Sequence, residues 1–386
     1  MTGHPFLPQR AGLYVHVPFC RSKCGYCAFI SYPCANRPPA GYPKAVARQL
    51  DLFAAHPLVA GLTFGSIYIG GGTPTIYDAE VLAGLLDRIM AKLPFSGEVE
   101  ISVETNPNTV TPEKLIRLRQ AGFNRLSIGV QSFADPVLAA IGRSHSAAEA
   151  HQAIRHARAA GFANLNLDLI YGLPGQSPAI WRATLEAALA HQPEHLSLYE
   201  LTIEEGTPFA ARAARQELDL PGEEELVIME ETARELLAGA GYDQYEISNS
   251  ARPGHECRHN INYWQNGDYL GLGAAAVSGF SGLRVKTVED PERFARLLAD
   301  GILPWTEAEG LPPAARFRET VIMGLRMTAG LAISELESRF GLTLREVYGD
   351  LPARLAALGL LVIEGDQMRL TTRALPVAHQ VLSQLV

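Results

Sequence analysis

Long apolar runs are missing from this chain. Nowhere do eighteen apolar residues stand together, which disfavours a membrane-spanning helix. The opening residues, Met1 to Gly12, lack the basic segment and apolar stretch of a secretory leader. Basic charge is also in deficit, with 33 Lys and Arg against 41 Asp and Glu for a net charge of −8. No nucleic-acid partner is therefore expected, because a phosphate-binding face needs a surplus of cations. Cysteine is scarce: five in 386 residues, an odd number, cannot make a disulfide framework, and the cytoplasm is the expected compartment. Repeats and low-complexity tracts are absent as well. What remains is ordinary globular composition, 47% hydrophobic and 19% charged, too apolar for disorder and long enough for more than one domain.

From residue 13 to about 201, short runs rich in β-branched residues alternate with stretches of helical spacing, the rhythm of βα repetition. Six strands are predicted: Leu13 to Val17, Ser66 to Ile69, Val99 to Glu104, Arg125 to Val130, Leu165 to Ile170 and His195 to Leu201. Helices are predicted over Pro43 to Ala55, Ala79 to Leu93 and Ala147 to Ala160, and Thr111-Pro112-Glu113 reads as a cap followed by Pro at the first helical position. Parallel strands joined by right-handed crossovers wind into a doubly wound sheet or a barrel, and six repeats suggest a partial (β/α)6 TIM-like barrel in an α/β fold. Three units follow from the change of rhythm: a barrel over 1–205, an α+β extension packed on it over 206–310, and a C-terminal unit over 311–386. In the last, helical patterns precede a hairpin over Leu360 to Leu370 turning at Gly365-Asp366, a winged-helix-like arrangement. Eight basic residues against seven acidic ones there make no phosphate-binding surface, so a packing or substrate-covering role is expected.

Chemistry concentrates where the strands end, since ligands of parallel sheets bind at the carboxyl edge. Cys20, Cys24 and Cys27 follow the first strand in a Cys-x3-Cys-x2-Cys spacing. Three thiols can wrap one iron–sulfur cluster and leave an iron open for a small molecule, or they can form part of a zinc site completed by Cys34 or a histidine. Gly70-Gly71-Gly72-Thr73-Pro74 follows the second strand, where glycines admit a ligand close to the backbone or simply make a turn. Glu104 closes the third strand and Gln131 the fourth; Arg143 follows, and Asp168 interrupts the apolar fifth, where an unpaired acid is costly.

The cysteine spacing, with Tyr26 directly before the last thiol, resembles the radical S-adenosylmethionine (SAM) superfamily. In that superfamily three cysteines hold a [4Fe-4S] cluster whose open iron chelates SAM, and an electron from the cluster cleaves the sulfonium to a 5′-deoxyadenosyl radical. The segments YVHVPFC, CGYC, GGGTPT, ETNP, GVQSF, GRSH and DLIYGLPGQ occur in order and resemble the oxygen-independent coproporphyrinogen III oxidase subfamily of porphyrin biosynthesis. This resemblance implies cluster ligands Cys20, Cys24 and Cys27, and SAM contacts at Tyr14, Tyr26, Gly71, Gly72, Thr73, Glu104, Gln131, Arg143 and Asp168.

Within that subfamily the decarboxylating oxidase carries a fourth cysteine two residues after the third, at a position that is Phe29 here. Ala28-Phe29 and His259-Asn260-Ile261-Asn262-Tyr263-Trp264 are instead similar to the heme chaperones related to it. Those chaperones commonly carry Gly-x-Gly-x-x-Ala-His, whereas this chain has Ala276-Val277-Ser278 after Gly271-Leu272-Gly273. His259 is then the candidate heme ligand, with a local bracing role for Tyr263 or Trp264 as its alternative. Cys34 and Cys257 read either as inert thiols or as heme ligands. The expected function is heme binding and transfer to an acceptor protein, a membrane protein in this reading, with the cluster and SAM alongside. The alternative is an enzyme, an anaerobic coproporphyrinogen III dehydrogenase acting on a porphyrinogen.

Overall fold

The computed structural model describes residues 10–35, 37–280 and 282–386, so the start of the first unit lies outside the described residues. All six predicted strands form and lie parallel in one sheet: β1 (Ala11–Val17), β2 (Phe64–Gly71), β3 (Phe95–Thr105), β4 (Arg125–Gln131), β5 (Leu165–Tyr171) and β6 (His195–Glu200), in sequence order. Helices cover both ends of the rhythm as expected, including α1 (Tyr42–Ala54), α2 (Ala79–Lys92), α3 (Pro112–Gln120), α5 (Ala147–Ala159) and α6 (Pro178–Ala190), with the short α4 (Asp135–Ala140) between β4 and α5. Their starts follow local chemistry. Thr111 Oγ1 accepts from Lys114 N at 3.3 Å, and Ser146 with Glu149 forms a capping box on α5.

Strand β4 is buried from end to end, as a parallel strand covered on both faces must be. Leu126, Ile128 and Val130 on it, with Leu165 and Leu167 on the neighbouring β5, are fully buried, each contributing about 1.5–3 kcal/mol.

The extension is where the structure departs from the reading. Segments from 206–310 do not merely pack on the barrel; they continue its sheet at both edges. Past β6 come β7 (Asp243–Gln244) and β8 (Asn249–Ala251), with β8 antiparallel to β6. On the other side β9 (Tyr269–Leu272) pairs parallel with β1, Tyr14 opposite Gly271, and adds a seventh parallel strand. Antiparallel β10 (Val277–Phe280), β11 (Leu283–Thr287) and β12 (Trp305–Gly310) complete twelve strands. Between the arms run α7 (Pro208–Ala214), α8 (Glu223–Gly239) and α9 (Arg258–Trp264); α10 (Pro291–Ala299) packs on α1.

Residues 311–386 form their own core around Phe317, Val321, Leu355 and Met368. Helices α11 (Pro313–Gly324), α12 (Ile333–Phe340), α13 (Leu344–Tyr348) and α14 (Leu351–Ala357) precede a hairpin. Its strands β14 (Leu361–Glu364) and β15 (Gln367–Leu370) turn at Gly365, φ +58°, and β13 (Leu331–Ala332) pairs with β15. The unit is fastened to the extension by Thr328 N donating to Tyr245 O at 3.0 Å and by the Arg326 guanidinium 4.5 Å over the Trp264 ring.

Candidate functional site

The cysteine loop leaves β1 and is stitched at both ends by backbone bonds. Tyr32 N donates to Pro18 O at 2.8 Å and Cys34 N to Cys20 O at 2.9 Å, and Phe209 at the start of α7 donates to Gly25 O at 3.0 Å. Gly25 is required there, because a Cβ would stand 2.8 Å from the Phe209 ring. Tyr26 packs edge-on against the same ring at 6.3 Å. Cys20, Cys24 and Cys27 are all free and part-exposed. Burial pushes the Cys20 and Cys27 thiols up, while the Thr73 hydroxyl works against it at Cys20.

A hydrogen-bond chain joins two of these thiols across the barrel mouth. Thr73 Oγ1 donates to Cys20 Sγ at 3.6 Å, and Asn106 Nδ2 donates to Thr73 Oγ1 at 2.9 Å. Arg143 Nη2 donates to Asn106 Oδ1 at 2.6 Å, and Arg143 Nη1 reaches Cys24 Sγ at 3.7 Å. Arg143 also donates to the Gly129 carbonyl. The glycine triplet sits against the loop: Gly71 adopts φ +110°, and a Cβ on Gly72 would stand 2.6 Å from Phe19 O.

Deeper in the lumen, Glu104 accepts from Tyr68 Oη at 2.8 Å and from Gly71 N at 3.0 Å. Burial, reinforced by Asp168, raises its pKa to about 7. Asp168 accepts from Ser127 Oγ and Asn166 Nδ2, both at 2.9 Å, and burial raises it too. Gln131 holds a left-handed φ of +66° at a break in the β4–β5 register, an uncommon conformation for a residue with a Cβ. Tyr14 Oη and His16 Nδ1 are 2.8 Å apart, and His16 Nε2 is 3.0 Å from Ile30 O. Since the Ile30 carbonyl can only accept, Nε2 carries the proton and Nδ1 accepts from Tyr14. Burial lowers the His16 pKa, consistent with this neutral ring.

All nine sequence-predicted contact residues thus gather at the mouth or just inside it. Sequence reasoning missed His16, Asn106 and Phe209, although YVHVPFC and ETNP contain the first two.

The residues fit an iron–sulfur cluster with SAM better than zinc. Cys20, Cys24 and Cys27 supply three thiol donors, the set that a cluster with one open iron takes, whereas a structural zinc site takes four ligands. Cys34 is engaged, its thiol donating to Cys20 O at 3.5 Å. Two buried polar atoms at the mouth, Gln131 Oε1 and Arg143 Nε, have no partner among the described residues and suit a polar ligand.

His259 is 1% exposed and lies beneath Tyr68 and Tyr14, its ring centroid 5.2 Å and 6.4 Å from theirs. Its Nδ1 is 2.9 Å from Ser66 Oγ, and its ring stacks on Tyr68 and meets Tyr263 edge-on at 4.9 Å. Its backbone N donates to Glu100 at 3.1 Å, as does Arg258 N at 3.0 Å, so Glu100 caps α9 beneath the barrel. Burial drives the His259 pKa to about 3. Its burial and its contact with Tyr263 fit the bracing alternative, while its Nε2 has no partner among the described residues. Cys257, fully buried against Glu100, belongs to the same floor.

Comparison with known proteins agrees with this geometry. Residues 14–188 match the radical SAM superfamily and residues 311–377 the HemN C-terminal domain. The chain is 37% identical over 389 residues to the heme chaperone HemW of Mycobacterium tuberculosis, covering 100% of this chain and 96% of that one. It is 36% identical to HemW of Bacillus subtilis, over 90% and 92% of the two chains. In structure it is similar to the Escherichia coli coproporphyrinogen III oxidase HemN, a radical SAM enzyme, with a TM-score of 0.84, 25% identity, and coverage of 98% and 90%. With both domain families matched in order and the chaperones aligned end to end, the chain belongs to the HemW heme-chaperone family of the radical SAM superfamily.

Proposed function

We propose that this protein binds heme and delivers it to an acceptor protein, and that Cys20, Cys24 and Cys27 hold a [4Fe-4S] cluster with SAM on its open iron. The end-to-end likeness to HemW chaperones carries the reading. Phe29, standing where the decarboxylating oxidase has a cysteine, supports it. When bound, the cluster supplies an electron to the SAM sulfonium. The chain's own residues bind and orient: Thr73 and Arg143 donate toward two of the thiols, and Gln131 and Arg143 offer free polar atoms. Glu104 and Asp168 present acids whose protonation is poised by burial. A membrane-bound acceptor is the finer form of the proposal. No helix among the described residues is long and apolar enough to cross a membrane. Three thiols that must stay reduced favour the cytoplasm.

The second reading is porphyrinogen decarboxylation, favoured by the 0.84 TM-score to the oxidase. Anaerobic reconstitution, followed by incubation with SAM, reductant and coproporphyrinogen III beside a heme titration, separates the two. Stoichiometric heme uptake without protoporphyrinogen is expected; decarboxylated product would overturn the chaperone proposal.

A further inference from the structure

Asp168 stands at one end of a hydrogen-bond chain that runs from the lumen to the extension. Asn166 and Asp168 are two residues apart on β5 and share a face, and the β5–β6 register sets them opposite His195 and Ser197. Asn166 and His195 are buried, 2% and 0% exposed. One side of the Asn166 amide is 2.9 Å from Asp168 Oδ1 and 2.8 Å from Ser127 Oγ, and the Ser127 hydroxyl donates to Asp168 Oδ2 at 2.9 Å. Its other side is 2.6 Å from His195 Nδ1 and 3.2 Å from Ser197 Oγ. His195 Nε2 is 2.8 Å from the hydroxyl of Tyr245, which lies between β7 and β8.

Every proton in this chain has one place to be. Ser127 gives its only proton to Asp168, so it can only accept from Asn166, and the amide must turn its NH2 toward the acid. The amide oxygen then faces His195, whose Nδ1 must donate. Burial, with Arg125 adding to it, lowers the His195 pKa well below the usual value, which keeps the ring neutral. A neutral ring carries one proton, so Nε2 accepts from Tyr245. Tyr245 is itself clamped by the C-terminal unit, through Thr328 N on its carbonyl at 3.0 Å and Ile247 N on Arg326 O at 3.1 Å.

We propose that Asn166 and His195 are positioning residues for SAM, holding the Asp168 carboxylate in the plane that SAM meets. The proposal rests on the SAM reading above, in which Asp168 is a contact. A carboxylate gripped by Ser127 alone would turn about its last torsion, which is broad; a second donor on the other oxygen fixes the plane. His195 Nδ1 in turn stops the Asn166 amide from flipping.

The test is a SAM titration of the full, anaerobically reconstituted chain, followed by the spectrum of the reduced cluster, beside thermal melting without SAM. His195→Leu removes the donor to Asn166 in a side chain of similar size, whereas His195→Asn keeps an N–H at the same branch point. Both lose the Tyr245 bond and should melt lower by similar amounts. SAM affinity should separate them: about fivefold or more weaker for His195→Leu, within about twofold of native for His195→Asn, with the iron–sulfur absorbance retained in both. Equal SAM affinity in the two variants, or affinity that simply follows melting temperature, would overturn the proposal. Should a histidine variant not fold, Asn166→Ala decides: SAM binding about fivefold weaker supports the relay, and native affinity sinks it. A native chain whose reduced cluster does not respond to SAM overturns the SAM reading itself, and this proposal with it.

Discussion

The two ends of this barrel use the same kinds of residue for opposite ends. At the floor, Ser66, Glu100, His259 and Cys257 are all nine-tenths or more buried on regular backbone, and a cysteine and a histidine there merely brace a helix. At the mouth the thiols are part-exposed, and Gly71 and Gln131 sit in left-handed conformations. Residue type alone does not make a site. Exposure, together with backbone that folding does not favour, does.

The largest effect should come from crossing that divide with cysteine. Cys24→Ala is expected to abolish the visible iron chromophore after anaerobic reconstitution, while Cys257→Ala leaves it; equal loss in both would erase the distinction. Next is Glu100→Ala, which strips a buried helix start of its acceptor and should cost about 2–4 kcal/mol by chemical denaturation. The chromophore per folded molecule should not change.

Glu104→Gln sharpens the contrast through pH. Its pKa rises from the usual 4.5 to about 7 on folding. Between those values the unfolded chain releases a proton that the folded chain keeps, so this group makes stability fall as pH climbs through that window. Without SAM, the variant should therefore be more stable than the native protein at pH 8, by up to about 3 kcal/mol. The gap should narrow as pH falls toward 5, read by thermal melting. A gap that widened on acidification would refute the assignment. The smallest effect is expected from Asn106→Ala, which cuts the chain between Thr73 and Arg143. SAM affinity should drop about fivefold, or roughly 1 kcal/mol, with the cluster retained, measured by SAM-induced change in the spectrum of the reduced cluster.

The barrel was legible because its signal is local. β4 reads as an unbroken apolar run, and Thr111 and Ser146 announce the helices they cap. The extension was not, because two- and three-residue strands such as β7 and β8 have no period to detect, and β8 pairs with β6 across some fifty residues. Likewise Arg143 is singled out by the family resemblance and not by any local pattern. Only the fold brings it to Cys24, 119 positions away. For His259 likewise, nothing local says that Glu100 and Ser66 will stand against it.

The stitching of the cysteine loop has one more consequence. Pro18, Cys20 and Gly25 all accept backbone bonds, with the Cys34 thiol adding one at Cys20, so the loop that carries the three thiols is closed by its own fold. Such a closure leaves the backbone of the loop independent of whatever its thiols hold.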